Sequence, residues 1–333
     1  MEKSIPEAKS PFATEPIWRL IAKFAIPCVI SLLVNSLYNI VDQIFIGWGV
    51  GYLGNGATNA VFPITIVALA LCLMIGDGAA TYLSLKLGAG DTASAKRGVG
   101  NAIVMVTVVS IVLAAAFLVF IDPILTIFGA TDVLRDYALE YGTIIGFGLP
   151  FMMIPGAVNS MIRADGSPKY AMLSMALGAV INTILDPVFI FLFHMRVRRA
   201  AIATVIGQVA TFIMAVCYLF RFKTFRIDST AFRIHAKTCA TVLSLGISSF
   251  ITQFAITIVM ALSNNLLVSY GAMSIYGSEI PMAATGIVMK VNQILISILV
   301  GIAVGTQPII GFNYGAKDFK RVKEALDIAL VVS

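Results

Sequence analysis

Four ionisable side chains lie inside long apolar runs of the sequence: Asp42, Asp77, Asp186 and Lys290. Placing a charged side chain at the centre of a bilayer costs about 2.5–3.5 kcal/mol, so such residues are functional candidates by default. They mark ion sites, proton relays or substrate paths. The polar residues around each of them indicate which chemistry to expect.

Asp42 ends a polar stripe in the first apolar run. The stripe consists of Ser31, Asn35, Tyr38 or Asn39, and Asp42. Steps of three and four residues place these side chains on one face of a helix. Pro27 lies upstream and removes a backbone hydrogen bond, so the helix can bend there. A packing network of asparagines is the structural alternative, but an acid is costlier than packing needs, which favours function.

A second acid has an amide one helical turn before it: Asn182 and Asp186 are followed at once by Pro187. The proline leaves an upstream carbonyl oxygen unpaired. A carboxylate, an amide oxygen and a free carbonyl suit a hard cation or a shared proton. In the next apolar run, Thr204 and Gln208 form another polar pair with the same spacing. Interhelical hydrogen bonding is the structural alternative for both pairs.

Asp77 and Lys290 give weaker signals. Asp77 lies between two glycines, where a hydrogen-bonded acid at a close helix contact explains the sequence as well as function does. Lys290 shares a helix face with Gln293. It predicts a position on a substrate path, a structural pairing or a side chain that reaches toward the interface. Gly301 and Gly305 have the spacing typical of close helix packing.

The composition excludes several classes of protein. Of 333 residues, 59% are hydrophobic and 12% are charged, whereas soluble domains carry about 25% charged residues. A soluble enzyme, a disordered chain and an ordinary nucleic-acid binder are therefore excluded. The apolar runs are long and unbroken, unlike the alternating segments of a membrane barrel. The sequence predicts an all-α polytopic membrane protein.

Spanning helices need about 20 mostly apolar residues. Eight complete spans are predicted, and a ninth begins near Ala325: 17–47, 57–86, 98–121, 137–161, 169–193, 199–220, 239–268 and 281–312. Most lysines and arginines fall in the N-terminal segment and in every second loop, so the positive-inside rule places these parts in the cytoplasm of a plasma-membrane protein. The basic cluster Arg196–Arg199 on the predicted outside is the exception.

An internal repeat divides the chain. Gly88-Ala89-Gly90-Asp91 resembles Gly315-Ala316-Lys317-Asp318 at an offset of 227 residues, and the same offset pairs Gly78 with Gly305. The first unit holds an even number of spans, so the copies have the same orientation. Such parallel repeats build transporters that bind substrate between two halves. We predict two six-helix lobes, residues 1–226 and 227–333, with the second lobe incomplete and the chain truncated.

Several motifs resemble the multidrug and toxic compound extrusion (MATE) family of secondary transporters. They are Tyr38–Gly47, Gly88–Asp91, Arg163–Pro168, Asn182–Pro187 and Ala200–Thr204. The resemblance implies two six-helix lobes around a central cavity that opens alternately to either side. It also implies a cation site of the first lobe formed by Asp42, Asn182, Asp186 and Thr204. We expect Asn35, Asn39, Asp77 and Gln208 as supporting residues, and Lys290 and Gln293 on the substrate path.

Two departures from the family pattern are evident. Arg196 and Arg199 stand in a loop where relatives have glycines, and no carboxylate occurs in the seventh or eighth predicted span. The first departure questions the geometry of that loop. The second makes an acidic site in the second lobe unexpected.

The expected function is that of an antiporter that exports lipophilic, often cationic, drugs or toxic compounds in exchange for Na⁺ or H⁺. We expect a monomer in the lipid bilayer, with no cofactor other than the coupling ion and no nucleic-acid partner. A flippase for a lipid-linked precursor and a non-transporting fragment are the alternatives. An intramembrane enzyme is disfavoured because the sequence has no histidine-rich metal site and no D-D-x-x-D cluster.

Overall fold

The computed structural model describes residues 11–50, 52–128, 132–189, 198–271, 273 and 279–333. Within these ranges the chain forms α-helices joined by short turns and contains no β-strand. Eight of the helices contain a stretch long and apolar enough to cross a membrane. The predictions of an all-α membrane protein and of eight complete spans are therefore confirmed. The basic cluster Arg196–Arg199 falls mainly outside the described residues.

The long helices carry the candidate spans and the short ones lie between or beside them. In chain order they are α1 (Pro11–Thr14), α2 (Ile17–Val50), α3 (Tyr52–Gly88), α4 (Thr92–Val119), α5 (Ile121–Ile127), α6 (Asp132–Ala164), α7 (Pro168–Pro187), α8 (Arg198–Leu219), α9 (Ala236–Gly271), α10 (Glu279–Gly315) and α11 (Phe319–Val332). A 3₁₀ turn, Ser229–Phe232, lies in the connection between α8 and α9.

The third span begins earlier than the sequence predicted, at Thr92 instead of residue 98. The Asp91 side chain accepts a hydrogen bond from the backbone nitrogen of Ser94 at 3.0 Å. This N-cap satisfies one of the free N–H groups at the start of the helix. The first turns of α4 carry Lys96 and Arg97, so a search for apolar residues places the start of the helix too late.

The repeat is visible in the backbone. α3 ends at Gly88 and α10 at Gly315, and in both cases the next helix begins four residues later. Asp318 caps α11 as Asp91 caps α4, with φ angles of −88° and −89°. The ninth helix therefore starts at Phe319, not near residue 325 as predicted. Equivalent turns at the predicted offset support the two-lobe architecture.

Glycines allow α10 to approach α2 closely. A Cβ atom on Gly305 would lie 2.6 Å from the Cα atom of Ala25, and one on Gly301 would lie 2.7 Å from the Cα atom of Val29. Any larger residue would have to push the two backbones apart. The predicted role of this glycine pair in helix packing is confirmed, and the contact joins the second lobe to the first.

The contacts between the lobes are exchanged. α10, the second span of its lobe, packs against α2, the first span of the other lobe, and α3 packs against α9 in the same manner. Gly78 on α3, the repeat partner of Gly305, faces the backbone of Val242 on α9. The interface between the lobes therefore consists of two similar helix pairs.

Several segments rich in lysine and arginine meet at one end of the bundle, which we call the basic end: residues 86–97, 163–169, 221–237 and 316–323. Lys96 pairs with Asp228 at 2.5 Å, and the backbone nitrogen of Lys223 donates to Asp165 at 2.7 Å. These contacts hold the connection between α8 and α9 against the first lobe. Beside them, Phe12 packs against residues of α10 and α11 in a second apolar cluster.

Candidate functional site

Three helices of the first lobe bring the predicted cation-site residues together. α7 packs against both α2 and α8. Asp42 lies on α2, Asn182 and Asp186 lie one turn apart on α7, and Thr204 lies near the start of α8. Asp186 is fully buried and Asn182 is 3% exposed. The helical spacing that predicted a shared face thus corresponds to a site between packed helices.

The carboxyl groups of Asp42 and Asp186 are in hydrogen-bond contact with each other. An ionised carboxylate can only accept hydrogen bonds, so two of them at this distance require a proton or a cation between them. The Oδ1 atom of Asp42 is buried and has no hydrogen-bond partner among the described residues. Buried polar atoms are almost always paired, so this oxygen is a candidate ligand atom.

Asn182 connects the acid to the neighbouring helix. Its amide nitrogen donates to the Oδ2 atom of Asp186 at 3.0 Å, and its amide oxygen accepts from the backbone nitrogen of Thr204 at 3.2 Å. The Thr204 hydroxyl donates to the carbonyl of Ala200 at 3.0 Å. Because this hydroxyl uses its hydrogen on the backbone, its oxygen remains an acceptor that can face a cation.

The supporting residues differ in what they contact. Asn39 donates to the carbonyl of Asn35 at 2.7 Å and to its side-chain oxygen at 3.1 Å. These two asparagines are therefore paired with each other one turn before Asp42. The Oε1 atom of Gln208, one turn after Thr204, is buried without a hydrogen-bond partner in the described part of the chain. It is a second oxygen that could receive a proton or a polar ligand.

Two tyrosines lie close enough to both carboxyl groups of the site to interact with them electrostatically: Tyr38 and Tyr141. Tyr38 is one turn before Asp42 and belongs to the polar stripe of the first span. Tyr141 was missed, because it comes from α6 and no nearby polar residue marks it in the sequence. Its spacing within α6 carries no signal, and only the packing of α6 in the lobe brings it to the site.

Asp77 belongs to a different cluster, which joins the lobes. Its carboxylate accepts hydrogen bonds from Ser160 at 2.9 Å and from Ser249 at 3.0 Å, and Arg163 lies 3.9 Å away. Gln307 of α10 donates to the backbone carbonyl of Asp77 at 3.3 Å. Ser249 and Gln307 belong to the second lobe, whereas Ser160 and Arg163 belong to the first. Asp77 is thus a hydrogen-bonded acid at a close helix contact.

Lys290 and Gln293 have exposed side chains on α10. The candidate span in this helix begins at Val288, so Lys290 lies near its start instead of half-way along it. Neither side chain is brought to the Asp42–Asp186 site by a described contact. Their place on a substrate path remains a prediction.

The cation-site residues lie toward the end of the bundle opposite the basic end. Asp42 and Pro187 are the last residues of their candidate spans. The 25 residues from Ile17 to Asp42 extend about 38 Å at 1.5 Å per residue, which exceeds the roughly 30 Å of a bilayer core. The two acids therefore lie nearer the far face of the membrane than its centre.

Known proteins share both the sequence and the fold. The MatE family model matches residues 27–188 and 249–333. The multidrug export protein MepA of Staphylococcus haemolyticus is 27% identical over 96% of this chain and 69% of its own length. The MepA protein of Staphylococcus aureus is 25% identical over the same shares.

A solved structure described as the outward-facing conformation of a multidrug resistance MATE family transporter of the MOP superfamily has a TM-score of 0.87. It is 24% identical and is covered over 69% of its length by 95% of this chain. This likeness shows the fold. The family match includes most of the chain and both lobes, together with Asp42, Asn182 and Asp186. The resemblance noted from the sequence motifs is therefore confirmed: the chain belongs to the MatE family.

Proposed function

We propose that the chain is a secondary antiporter that exports lipophilic, often cationic, organic compounds in exchange for Na⁺ or H⁺. The relatives with the names of multidrug export proteins support the substrate class. The contact between the Asp42 and Asp186 carboxyl groups, next to an unpaired buried oxygen, carries the proposal. A permanent structural role would leave no such oxygen without a partner.

Either coupling ion fits the atoms that meet at this site. A proton held between the two carboxyl groups removes one negative charge and allows their contact. A Na⁺ ion would instead bind the carboxylate oxygens of Asp42 and Asp186, with the Thr204 hydroxyl as a third oxygen ligand. Hard cations prefer such oxygen ligands. In both cases the coupling group neutralises charge that is otherwise costly to bury between helices.

The position of the site suggests how ion binding affects the cavity. The lobes are joined near the basic end through Asp77 and through the glycine contacts of α10, whereas the acids lie toward the opposite end. We take the basic end as cytoplasmic from its lysines and arginines. The site would then load from outside, and ion binding would change how α2 packs on α7. One inward elementary charge supplies about 2.3 kcal/mol per 100 mV.

The partners of this function are a small organic substrate, the coupling ion and the bilayer. All four cation-site residues come from one lobe of one chain, so a monomer suffices. The proposal includes no enzymatic step, no cofactor besides the coupling ion and no nucleic acid.

Gradient-driven transport in vesicles tests this function. The full chain is reconstituted in liposomes, and movement of the fluorescent cation ethidium is followed after a pH or Na⁺ gradient is imposed. We expect Asp42→Asn and Asp186→Asn to reduce transport to the level of protein-free vesicles, because neither amide can release a proton or neutralise a cation. The matched control Asp136→Asn removes an exposed acid and should transport as the unmodified chain does.

Wild-type rates in both site variants would refute the coupling mechanism. Absence of ethidium transport by the unmodified chain under either gradient would contradict antiport itself and favour a non-transporting fragment. Substituting Tyr141 by phenylalanine then separates the roles of the site residues. It removes a hydroxyl near the acids without changing their charge.

A further inference from the structure

A cavity of about 340 Å³ opens at the basic end, away from the cation site. It lies between the first turns of α4 and the segment that connects the two lobes. Its polar lining consists of Lys96, Arg97, Thr230, Arg233 and His235. The charged groups come from two parts of the chain that are more than 130 residues apart, and folding brings them around one space.

The cavity has an excess of positive charge. Lys96 is neutralised by Asp228, whose Oδ2 atom lies 2.5 Å from the ammonium nitrogen. Arg97 and Arg233 form no ion pair with any residue that the structure describes, and both side chains are exposed. Two guanidinium groups therefore face the same space without a protein carboxylate to match them. An anion that fits the cavity is the missing partner.

The walls of the cavity are held in place by hydrogen bonds. The Asn101 side chain accepts from the backbone nitrogen of His235 at 2.9 Å and donates to the carbonyl of Arg97 at 2.7 Å. Gly100 faces the backbone of Ala231 so closely that no side chain would fit between them. The spacing between the two basic walls is thus fixed before any ligand binds, which reduces the entropic cost of binding.

Apolar side chains beside the cavity indicate the source of the anion. Phe232 is 40% exposed and Ile234 is 67% exposed, and they alternate along the chain with Arg233 and His235. Exposed apolar residues next to basic ones are typical of a segment at a membrane interface, where the apolar side chains enter the acyl region and the basic ones meet headgroups. A site for free phosphate has no need of them.

We propose that this cavity binds the phosphate of an anionic membrane lipid. Arg97 and Arg233 donate hydrogen bonds to the phosphate oxygens from opposite walls, since the guanidinium group matches phosphate geometry. The Thr230 hydroxyl can donate a further bond. Phe232 and Ile234 lie beside the acyl chains. The bound lipid would join the start of α4 to the connection between the lobes. This inference does not depend on antiport.

Titration of the purified full chain with a short-chain lipid tests the site. The chain is kept in a zwitterionic detergent, and binding of dihexanoyl phosphatidylglycerol is followed by native mass spectrometry. We expect Arg97→Gln and Arg233→Gln each to weaken binding about tenfold, because a hydrogen bond to a charged group contributes about 1.5–3 kcal/mol. The control Arg226→Gln removes an exposed arginine of the same segment that does not line the cavity, and should bind as the unmodified chain does.

Further measurements separate the sources of phosphate. Dihexanoyl phosphatidylcholine should bind far more weakly, because its headgroup has no net charge, and inorganic phosphate should not displace the lipid. Displacement by millimolar phosphate would overturn the lipid assignment. Unchanged lipid binding by the Arg97→Gln/Arg233→Gln variant would overturn the site. If thermal melting shows that this variant is unfolded, Arg97→Lys keeps the charge but loses the planar fork, and unweakened binding by it would also count against the site.

Discussion

Asp77 of the first lobe accepts a hydrogen bond from Ser249 of the second lobe, with 3.0 Å between the Oδ2 and Oγ atoms. The other carboxylate oxygen accepts from Ser160 of the first lobe at 2.9 Å. One carboxylate therefore joins α3, α6 and α9. It lies about 16 Å from the end of α3, as 11 residues separate it from Gly88, so this connection is in the half of the bundle near the basic end.

Removal of the Ser249 hydroxyl should weaken the contact between the lobes. In Ser249→Ala one oxygen of a partly buried carboxylate loses its donor, which costs about 1–3 kcal/mol. We expect a larger population with separated lobes, measured as a longer distance between spin labels at positions 92 and 320 in a background without the exposed Cys217. Ser244→Ala is the matched control, because its hydroxyl bonds only to its own helix, at Thr241. Equal distance distributions for the two variants would contradict this role.

Gly305 should not tolerate a larger side chain. Since a Cβ atom there would lie 2.6 Å from the Cα atom of Ala25, Gly305→Leu must displace α2 or α10. Overpacking costs about 1–3 kcal/mol, so the variant should unfold at a lower temperature in detergent. The same substitution at the exposed Ala303 of the same helix should leave the melting temperature unchanged. A Gly305→Leu variant as stable as Ala303→Leu would show that the helices can separate at no cost.

Arg321 should hold the N-terminal part of the described chain in place. Its Nη2 atom donates to the carbonyls of Phe12 at 3.0 Å and Glu15 at 2.7 Å, and its Nε atom donates to the Asn313 side chain at 3.2 Å. Arg321→Gln loses most of these charge-assisted bonds, at a cost of about 2 kcal/mol. Amide hydrogen exchange over residues 11–16 should become faster. Lys320→Gln, on the adjacent exposed lysine, should not change it.

The attachment of the connecting segment should weaken in acid. Hydrogen bonds from Lys96 and Thr230 lower the pKa of Asp228 to about 2, below its value of about 4 in an unfolded chain. A lowered pKa stabilises the folded form above the unfolded value, and this contribution disappears as the pH falls toward 2. Hydrogen exchange over residues 225–235, corrected for intrinsic rates, should therefore accelerate between pH 4 and pH 2.

Asp228→Asn provides the reference for this effect. It removes the titrating group, so exchange over the segment should already be fast at pH 5 and should change little on acidification. Asp91, whose pKa is lowered chiefly by the backbone N–H of Ser94, titrates in the same range. A pH response that persists in Asp228→Asn would assign the effect to Asp91 instead.

The spans, the repeat and the meeting of Asp42 with Asp186 could be predicted from the sequence, because each rests on a strong physical constraint. A helix that crosses a bilayer must be apolar over its whole length. An acid in such a helix must have a polar partner, so the acids and their i, i+4 neighbours indicated a common site. The N-cap starts of α4 and α11 were missed because they lie in polar turns outside the apolar spans.

Other features depend on packing between distant parts of the chain, and no local spacing reveals them. Tyr141 reaches the acids only because α6 packs in the same lobe. The flanking glycines of Asp77 indicated a close contact, but Ser249 as a partner from the second lobe could not be predicted. The basic cavity likewise requires Arg97 and Arg233 to meet through the fold.

The exchanged packing of α2 with α10 and α3 with α9 has a mechanical consequence. Each lobe supplies one helix to each pair, so both pairs have to separate whenever the lobes swing apart, and a hinge placed at either pair alone would jam against the other. The motion of least resistance is then a rotation about the pseudo-two-fold axis between them. A duplicated ancestral unit would have this symmetry without further selection, because each joint is a copy of the same surface.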